Sequence, residues 1–404
     1  MACIRDNKRI AFLLALSSMF LIRDSEWFIY TAIVLFLVEL FSVRSIDLDI
    51  GDIILFHSSF WYVMSRMIDT PWSFSRALVY VAIYQLGKKA TDPNKNISPE
   101  CVIAPALAFL LKGLLDYSSL FKYGRSDIEL YWPDWGGNVL HRSEHEYYLV
   151  LAASLLVYFV YYTFTINRKG CIGIIISLGA VVLAVYAKGR LAFWSCLISV
   201  IVVGIGIIIE KKLYKLRPFR VAAVSFLAIL AVVIGLLVSN TFGLHDLYMN
   251  SIWSEEGGPI YNARFDMMGQ QIKLLYEEYF DETVTVEDDP ALIDSDGNEI
   301  YDVPNSWLEI GRDKGLYTMM WTMAFTVYSL IYLVKAWKGS KDRNKYVVIA
   351  AFIGITFLNM VEPVITNNAR FWALEVYLAG MVRALYTGAC SPKRWDAGFL
   401  LKYV

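Results

Sequence analysis

The sequence has few charged residues, few prolines and few cysteines, and these shortages exclude several classes of protein. Charged residues make up 19% of the 404 positions against 57% hydrophobic ones, which is more apolar surface than one water-soluble core buries. Eleven prolines and 25 glycines are too few for a fibrous or low-complexity chain. The formal net charge of −1 gives no indication of a nucleic-acid partner. The composition therefore predicts an integral membrane protein.

Motifs for disulfide, metal or nucleotide chemistry are missing as well. None of the five cysteines falls in residues 121–145 or 240–315, the two large polar segments, so no disulfide framework is expected there. Residues 141–145 spell the HxxEH of inverted zinc peptidases, but no convincing third ligand accompanies them. Residues 294–298 resemble a calcium loop, but the glycine comes at the fourth position rather than the sixth. Because there is also no Walker loop or dinucleotide fingerprint, we expect neither a metal nor another cofactor.

Long apolar runs recur along the whole chain, each closed by polar or charged residues. Runs of this length match the roughly 30 Å hydrocarbon layer of a membrane, in which a helix satisfies its own backbone hydrogen bonds. The sequence therefore predicts an all-α fold, a polytopic bundle of about twelve transmembrane helices forming a single membrane domain over residues 1–404. The predicted helices are 10–22, 27–43, 50–67, 73–90, 98–120, 146–166, 171–187, 191–209, 221–239, 316–334, 346–361 and 371–386.

The distribution of lysine and arginine predicts how this bundle is oriented. With the amino terminus inside, alternate loops place 22 of the 37 basic residues on the cytoplasmic side, as short cytoplasmic loops do in membrane proteins. Both termini are then cytoplasmic, and loops 121–145 and 240–315 lie outside the cell membrane. The larger loop, between helices 9 and 10, has 17 acidic residues against four basic ones, a net formal charge of −13.

Both outer loops contain aromatic and apolar patterns. Within 240–315 a helical spacing predicts an amphipathic helix that lies on the membrane or caps the bundle. Its apolar residues are Phe265, Met268, Ile272, Leu275, Tyr276 and Tyr279. In loop 121–145, Trp132 and Trp135 stand near charged residues, as is typical of sugar recognition. An aromatic belt at the membrane surface explains these tryptophans equally well.

Two arginines on the outer side are candidates for binding an anion. Arg190 separates two apolar runs with hardly any loop, and Arg264 opens the amphipathic helix, where free backbone N–H groups attract anions. Two guanidinium groups at a membrane surface suit a diphosphate, which each can bind through two N–H groups. A structural role remains open for both, because Arg190 can snorkel from a helix end and Arg264 can pair with Asp266.

A third outer feature is the segment 303–309, which leads into a helix that ends near Gly315. Ser306 and Glu309 have the spacing of a capping box, in which each side chain bonds to the backbone of the other residue. Glu309 is then a structural residue.

These segments resemble the O-antigen ligase and O-antigen polymerase superfamily. The resemblance rests on Gly189-Arg190, on the Arg264 segment, and on Asn305-Ser306-Trp307-Leu308 followed by Gly315-Leu316. The approach to the sixth helix and the layout of about twelve helices, with the largest outer loop after the ninth, are similar too. The resemblance implies a bacterial inner-membrane enzyme that polymerises undecaprenyl-diphosphate-linked oligosaccharide units into surface polysaccharide, without metal or nucleotide sugar.

The resemblance also implies roles and partners. Arg190 and Arg264 would hold the diphosphate, and Pro304 stands where ligases of the family have a catalytic His, which favours a polymerase. Ligase-type transfer to a final acceptor and a lipid-linked oligosaccharide flippase remain the alternatives. The expected partners are the lipid-linked glycan, membrane lipids, a flippase and a chain-length regulator.

A base must take the proton of the attacking sugar hydroxyl. The candidates with a catalytic role are His141, His145 and Asp302, with Glu144 and Glu362 as further possible bases. The predicted substrate-binding residues are Arg142, Glu144, Asn305, Trp307, Arg312, Glu362, Arg370, Trp132 and Trp135.

Overall fold

The computed structural model of the chain is predominantly helical. It describes residues 30–35, 37, 48–64, 73–90, 131–133, 139–141, 197–198, 201–202, 204–209, 212, 215, 268–276, 292–293, 299–300, 305–342, 345–361 and 369–389. The helices with defined bounds are α1 (Ile50–Met64), α2 (Ser73–Lys88), α3 (Ser306–Lys314), α4 (Leu316–Gly339), α5 (Lys345–Val361) and α6 (Ala369–Ala389). Further helical residues occur at 30–35, 37, 197–198, 201–202, 204–209 and 268–276.

Five of the predicted apolar runs are confirmed as helices. The bounds of α1, α2, α4, α5 and α6 differ from the predicted ones by five residues at most. The helical residues 30–35, 37, 197–198, 201–202 and 204–209 fall within two more of the predicted runs. The other five runs lie outside the described residues.

Helix α1 runs antiparallel to α4, and the bundle has two distinct ends. At one end the Trp61 ring of α1 stacks on Tyr317 of α4, with ring centroids 5.5 Å apart. This end also carries α3, and we call it the α3 end. At the opposite end Asp49, just before α1, bonds to Arg383 of α6. We call this the Asp49 end.

Helices α2 and α6 approach each other unusually closely where two glycines face each other. A Cβ atom at Gly87 would lie 2.2 Å from the backbone oxygen of Tyr377, and one at Gly380 would lie 2.3 Å from that of Tyr84. Only glycine permits this distance between two helix backbones. The contact brings Tyr84 into the core, where its ring meets Phe325 of α4 edge to face.

The distribution of polar and apolar residues on α4 is inverted relative to that of a water-soluble helix. Its buried residues are Thr318, Thr322, Phe325, Thr326, Ser329, Leu333 and Ala336. Its exposed large hydrophobic residues are Tyr317, Met320, Met323, Val327, Ile331 and Val334. The buried hydroxyls bond to carbonyl oxygens one turn earlier, and the Thr322 hydroxyl also meets that of Ser58 on α1 at 2.7 Å. The interior of the bundle is thus polar on this side, and the exposed surface is apolar.

Helices α3 and α4 are separated by a single residue, Gly315. Its φ of 86° lies in the region that favours glycine, and its N–H donates to the Gly311 oxygen. The prediction of a helix ending near Gly315 is confirmed.

The predicted amphipathic helix is confirmed over residues 268–276, but its apolar face is divided. Leu275 is 5% exposed and packs toward α3, whereas Ile272 and Tyr276 are 57% and 64% exposed. Gln271 is buried one turn before Leu275. Of these apolar residues, Leu275 thus contacts the bundle, whereas Ile272 and Tyr276 do not.

Two short antiparallel strand pairs occur in the predicted outer loops. Strand β1 (Tyr131–Pro133) pairs with β2 (Val139–His141), with Tyr131 opposite His141. Strand β3 (Leu292–Ile293) pairs with β4 (Glu299–Ile300), on either side of the calcium-like segment 294–298. The all-α prediction did not include these two pairs.

Among the described helices, α4 alone is long and apolar enough to cross a membrane, and residues 345–360 form a shorter apolar helix. Length and composition of one helix do not distinguish a membrane span from the core helix of a soluble protein.

Candidate functional site

The amino terminus of α3 is fixed by Asn305. The Asn305 Oδ1 atom accepts hydrogen bonds from the backbone N–H groups of Trp307 and Leu308, each at 3.0 Å. Its Nδ2 atom donates to the carbonyl oxygen of Met360, near the end of α5, at 2.9 Å. Asn305 is therefore the N-cap of α3 and also the link between α3 and α5.

This geometry corrects the expected capping box. The cap residue is Asn305, one position before Ser306, which is the first residue of α3. Ser306 and Glu309 are both buried, at 0% and 5% exposure. The Asn305 amide was predicted to bind substrate, but in the structure its oxygen and its nitrogen both bond to backbone groups.

Trp307 and Arg312 are the other predicted site residues whose side chains are described. Both side chains are half-buried. The Trp307 Nε1 atom is buried and has no hydrogen-bond partner among the described residues. Arg312 lies in the last turn of α3, where a cation complements the partial negative charge of the helix carboxyl end.

The helix 268–276 packs on α3 near these residues. A Cβ atom at Gly311 of α3 would lie 3.1 Å from Cδ1 of Leu275 and 2.8 Å from Sδ of Met319. The absence of a side chain at Gly311 thus makes room for Leu275. Two segments that the sequence singled out, the helix after Arg264 and residues 305–309 of the segment 303–309, lie together at the α3 end.

Most other predicted site residues lie outside the described residues. They are Arg190, Arg264, Arg142, Glu144, His145, Asp302, Glu362 and Trp135. Three more have a described backbone only. Trp132 is in β1, His141 is in β2, and Arg370 is in the first turn of α6. Their roles stay predictions.

The Asp49 end contains a cluster of two acidic and two basic side chains that the sequence did not predict. The Arg383 Nε atom donates to Asp49 Oδ2 at 2.7 Å, and the Lys88 Nζ atom donates to Asp52 Oδ2 at 2.6 Å. Gln85 donates to the other oxygen of Asp52 at 2.7 Å. The four charges cancel, and they join the ends of α1, α2 and α6.

Aromatic rings cover this cluster. The guanidinium carbon of Arg383 lies 4.4 Å from the ring centroid of Tyr332 on α4, and Lys335 Nζ lies 4.6 Å from the same centroid. Tyr332 in turn meets Tyr386 of α6 edge to face. Cation–π contacts of this kind bring α4 into the same junction.

The carboxyl of Asp49 responds to burial and to its two cationic neighbours. Burial alone raises the pKa of Asp49, but Lys88 and the hydrogen bond from Arg383 outweigh it. The pKa of Asp49 is therefore lowered from its usual value, and the group is ionised at neutral pH.

The described residues contain no group of three or more His, Cys, Asp or Glu side chains that could hold a metal ion. No family model matches the sequence, and no curated protein matches it either.

Proposed function

We propose that the chain is a bundle of about twelve transmembrane helices in a bacterial cytoplasmic membrane. The inverted pattern of α4 supports this, because small hydroxyl residues face helix neighbours and apolar residues face the surroundings in membrane bundles. From Tyr317 to Lys335 the helix rises about 27 Å, close to the thickness of a hydrocarbon layer. Aromatic residues lie at both limits of this interval.

The Asp49 end is proposed to face the cytoplasm. In support, the helix ends that meet there are the start of α1 and the ends of α2 and α6. The distribution of lysine and arginine independently assigns all three ends to the inner side. The α3 end then faces outward, as do the loops 121–145 and 240–315.

At the α3 end we propose a glycosyl transfer that polymerises undecaprenyl-diphosphate-linked oligosaccharide units into surface polysaccharide. The main support is the packing of the helix after Arg264 against α3, through Leu275 and Gly311. This contact joins two of the three segments that resemble the O-antigen polymerase superfamily.

The reaction needs one bond to form and one to break. The oxygen of an acceptor hydroxyl attacks the anomeric carbon of the donor sugar, and the bond from that carbon to the lipid diphosphate breaks. The electron pair leaves with the diphosphate oxygen, where the guanidinium groups of Arg190 and Arg264 stabilise the charge. The hydroxyl proton passes to a base, for which His141, His145 and Asp302 are the candidates.

Reconstitution of the purified full chain with lipid-linked repeat units tests this proposal. Long-chain glycan and released lipid diphosphate are expected from the wild type. Arg190→Ala and Arg264→Ala should each lower the rate about a hundredfold or more. Arg190→Lys should recover little, because an ammonium cannot bind the diphosphate through two parallel N–H groups.

Lys273→Ala provides the matched control, since Lys273 is an exposed cation on the helix that follows Arg264. This variant should form polymer at the wild-type rate. Normal chain length in both arginine variants would refute the proposal. Movement of repeat units across the vesicle membrane without elongation would instead identify a flippase.

A further inference from the structure

One carboxyl group in the bundle is buried without any charged partner among the described residues. Glu375, on α6, is 0% exposed. Its Oε2 atom accepts a hydrogen bond from the Nδ2 atom of Asn359 on α5. Its Oε1 atom lies 3.4 Å from the hydroxyl of Thr356, and the hydroxyl of Thr326 on α4 is also within hydrogen-bonding range. Every one of these neighbours is neutral.

The cations with described side chains on α6 and on the helices packed against it lie far from this group, and of Arg76 on α2 and Arg370 on α6 only the backbone is described. On α6 itself Arg383 is eight residues away, which is about 12 Å along the helix axis, and it is paired with Asp49. Lys88 of α2 belongs to the same cluster at the Asp49 end. On α4, Lys335 lies nine residues after Thr326. Lys345, at the start of α5, donates to the carbonyl oxygens of Trp337 and Ser340. Three tyrosines of α2 and α4, Tyr84, Tyr328 and Tyr332, lie toward the same cluster, whereas Tyr317 of α4 stacks on Trp61 at the α3 end.

Glu375 therefore differs from the acidic residues at the Asp49 end. Asp49 and Asp52 are buried beside two cations, so their charges are cancelled. The charge of an isolated carboxylate inside a helix bundle is not cancelled in this way. The free energy needed to bury this charge exceeds the stabilisation that neutral hydrogen-bond donors provide. A single proton removes that cost.

We propose that Glu375 is a proton-binding site inside the bundle and that it carries its proton while α4, α5 and α6 are packed together. The hydrogen bonds indicate which oxygen holds the proton. Asn359 can only donate from Nδ2, so Oε2 is the accepting carbonyl oxygen. Oε1 is then the oxygen that carries the proton, and it lies 3.4 Å from the Thr356 hydroxyl.

The Glu375 site lies next to the anchor of α3. Asn359 precedes Met360, whose carbonyl oxygen accepts the hydrogen bond from Asn305 that anchors α3. This inference does not require the glycosyl transfer proposed above.

Infrared spectroscopy of the purified full chain in detergent tests the proposal. A protonated carboxylic acid gives a carbonyl stretching band that a carboxylate lacks, and the band shifts in D₂O. We expect the band at pH 7, although an exposed glutamate with its pKa of about 4.3 is ionised there. The Glu375→Gln variant should fold normally, because an amide is also neutral, and it should lose the band.

Two further variants keep the result interpretable. Asp49→Asn should retain the band, since Asp49 is ionised beside Lys88 and Arg383. Asn359→Leu removes a donor to Glu375 and should shift the band while leaving it present. If the wild type shows no band at pH 7, or if Glu375→Gln retains it unchanged, the proposal is wrong. Loss of the band on adding NaCl would mean that Na⁺ displaces the proton, and would also overturn the assignment.

Discussion

The glycine contact between α2 and α6 permits a quantitative prediction. An alanine at position 87 would put its Cβ 2.2 Å from the Tyr377 oxygen, and one at position 380 would put it 2.3 Å from the Tyr84 oxygen. A carbon and a carbonyl oxygen normally stay about 3.3 Å apart or more, so the helices would have to separate by about 1 Å. Backbone atoms cannot rotate away as a side chain does.

This separation weakens the packing along the whole α2–α6 interface. A gap of about 1 Å forfeits roughly a quarter to a half of the dispersion energy of each contact across it. Ile83 and Tyr84 on α2 and Met381 on α6 are buried almost completely, so several large side chains lose contacts. We therefore expect Gly87→Ala and Gly380→Ala each to cost about 3 kcal/mol of unfolding free energy, the upper part of the range for overpacked cores.

The double variant Gly87→Ala/Gly380→Ala should cost about as much as either single variant. One separation of the helices relieves both clashes, whereas independent sites would add their effects. The measurement is a denaturant titration of the purified chain in detergent micelles, followed by circular dichroism. Gly269→Ala is the control, because a Cβ at this helical position meets nothing within 4 Å and should stabilise by up to about 1 kcal/mol. Single variants as stable as the wild type, or strictly additive costs, would refute the close contact.

Two further predictions concern the ends of the bundle. Because the folded-state pKa of Asp49 is lowered, its contribution to stability is complete above the usual aspartate range and is lost as the pH falls through that range and below. The wild type should therefore lose more stability than Asp49→Asn between pH 7 and about pH 3, and equal losses in thermal unfolding would contradict the ion pair. At the other end, Asn305→Ala should cost about 1 kcal/mol for the cap and about 1 kcal/mol for the bond to Met360, as measured by denaturant titration. Asn305→Asp keeps the cap and should lose only the second part; an Asp variant as unstable as Ala would show that the cap contributes nothing.

The helices could be predicted from the sequence because local patterns determine them. The apolar runs that become α1, α2 and α5 are closed by charged residues, and these charges mark the helix ends to within a few residues. The end of α3 is marked by Gly315, whose positive φ is required by the turn into α4.

The contacts between helices could not be predicted from local sequence patterns. Asp49 and Arg383 are 334 positions apart, and no spacing rule connects them. Ser306 was expected as the helix cap by its spacing to Glu309, but Asn305 also fits a cap and gains a bond to α5. The divided face of the helix 268–276 depends on α3, whose Gly311 admits Leu275 and leaves Ile272 exposed.

The bond from Asp49 to Arg383 bears on how the protein is made. The ribosome synthesises α1 and α2 long before α6. Asp49 therefore cannot bond to Arg383 until almost the whole chain has been synthesised. Gly87 likewise has no counterpart until Gly380 has entered the bundle. A chain that stops before α6 leaves α2 without the helix that Gly87 packs against, and it leaves Asp49 without Arg383. The packing of this bundle is therefore complete only after α6, its last described helix, has been synthesised.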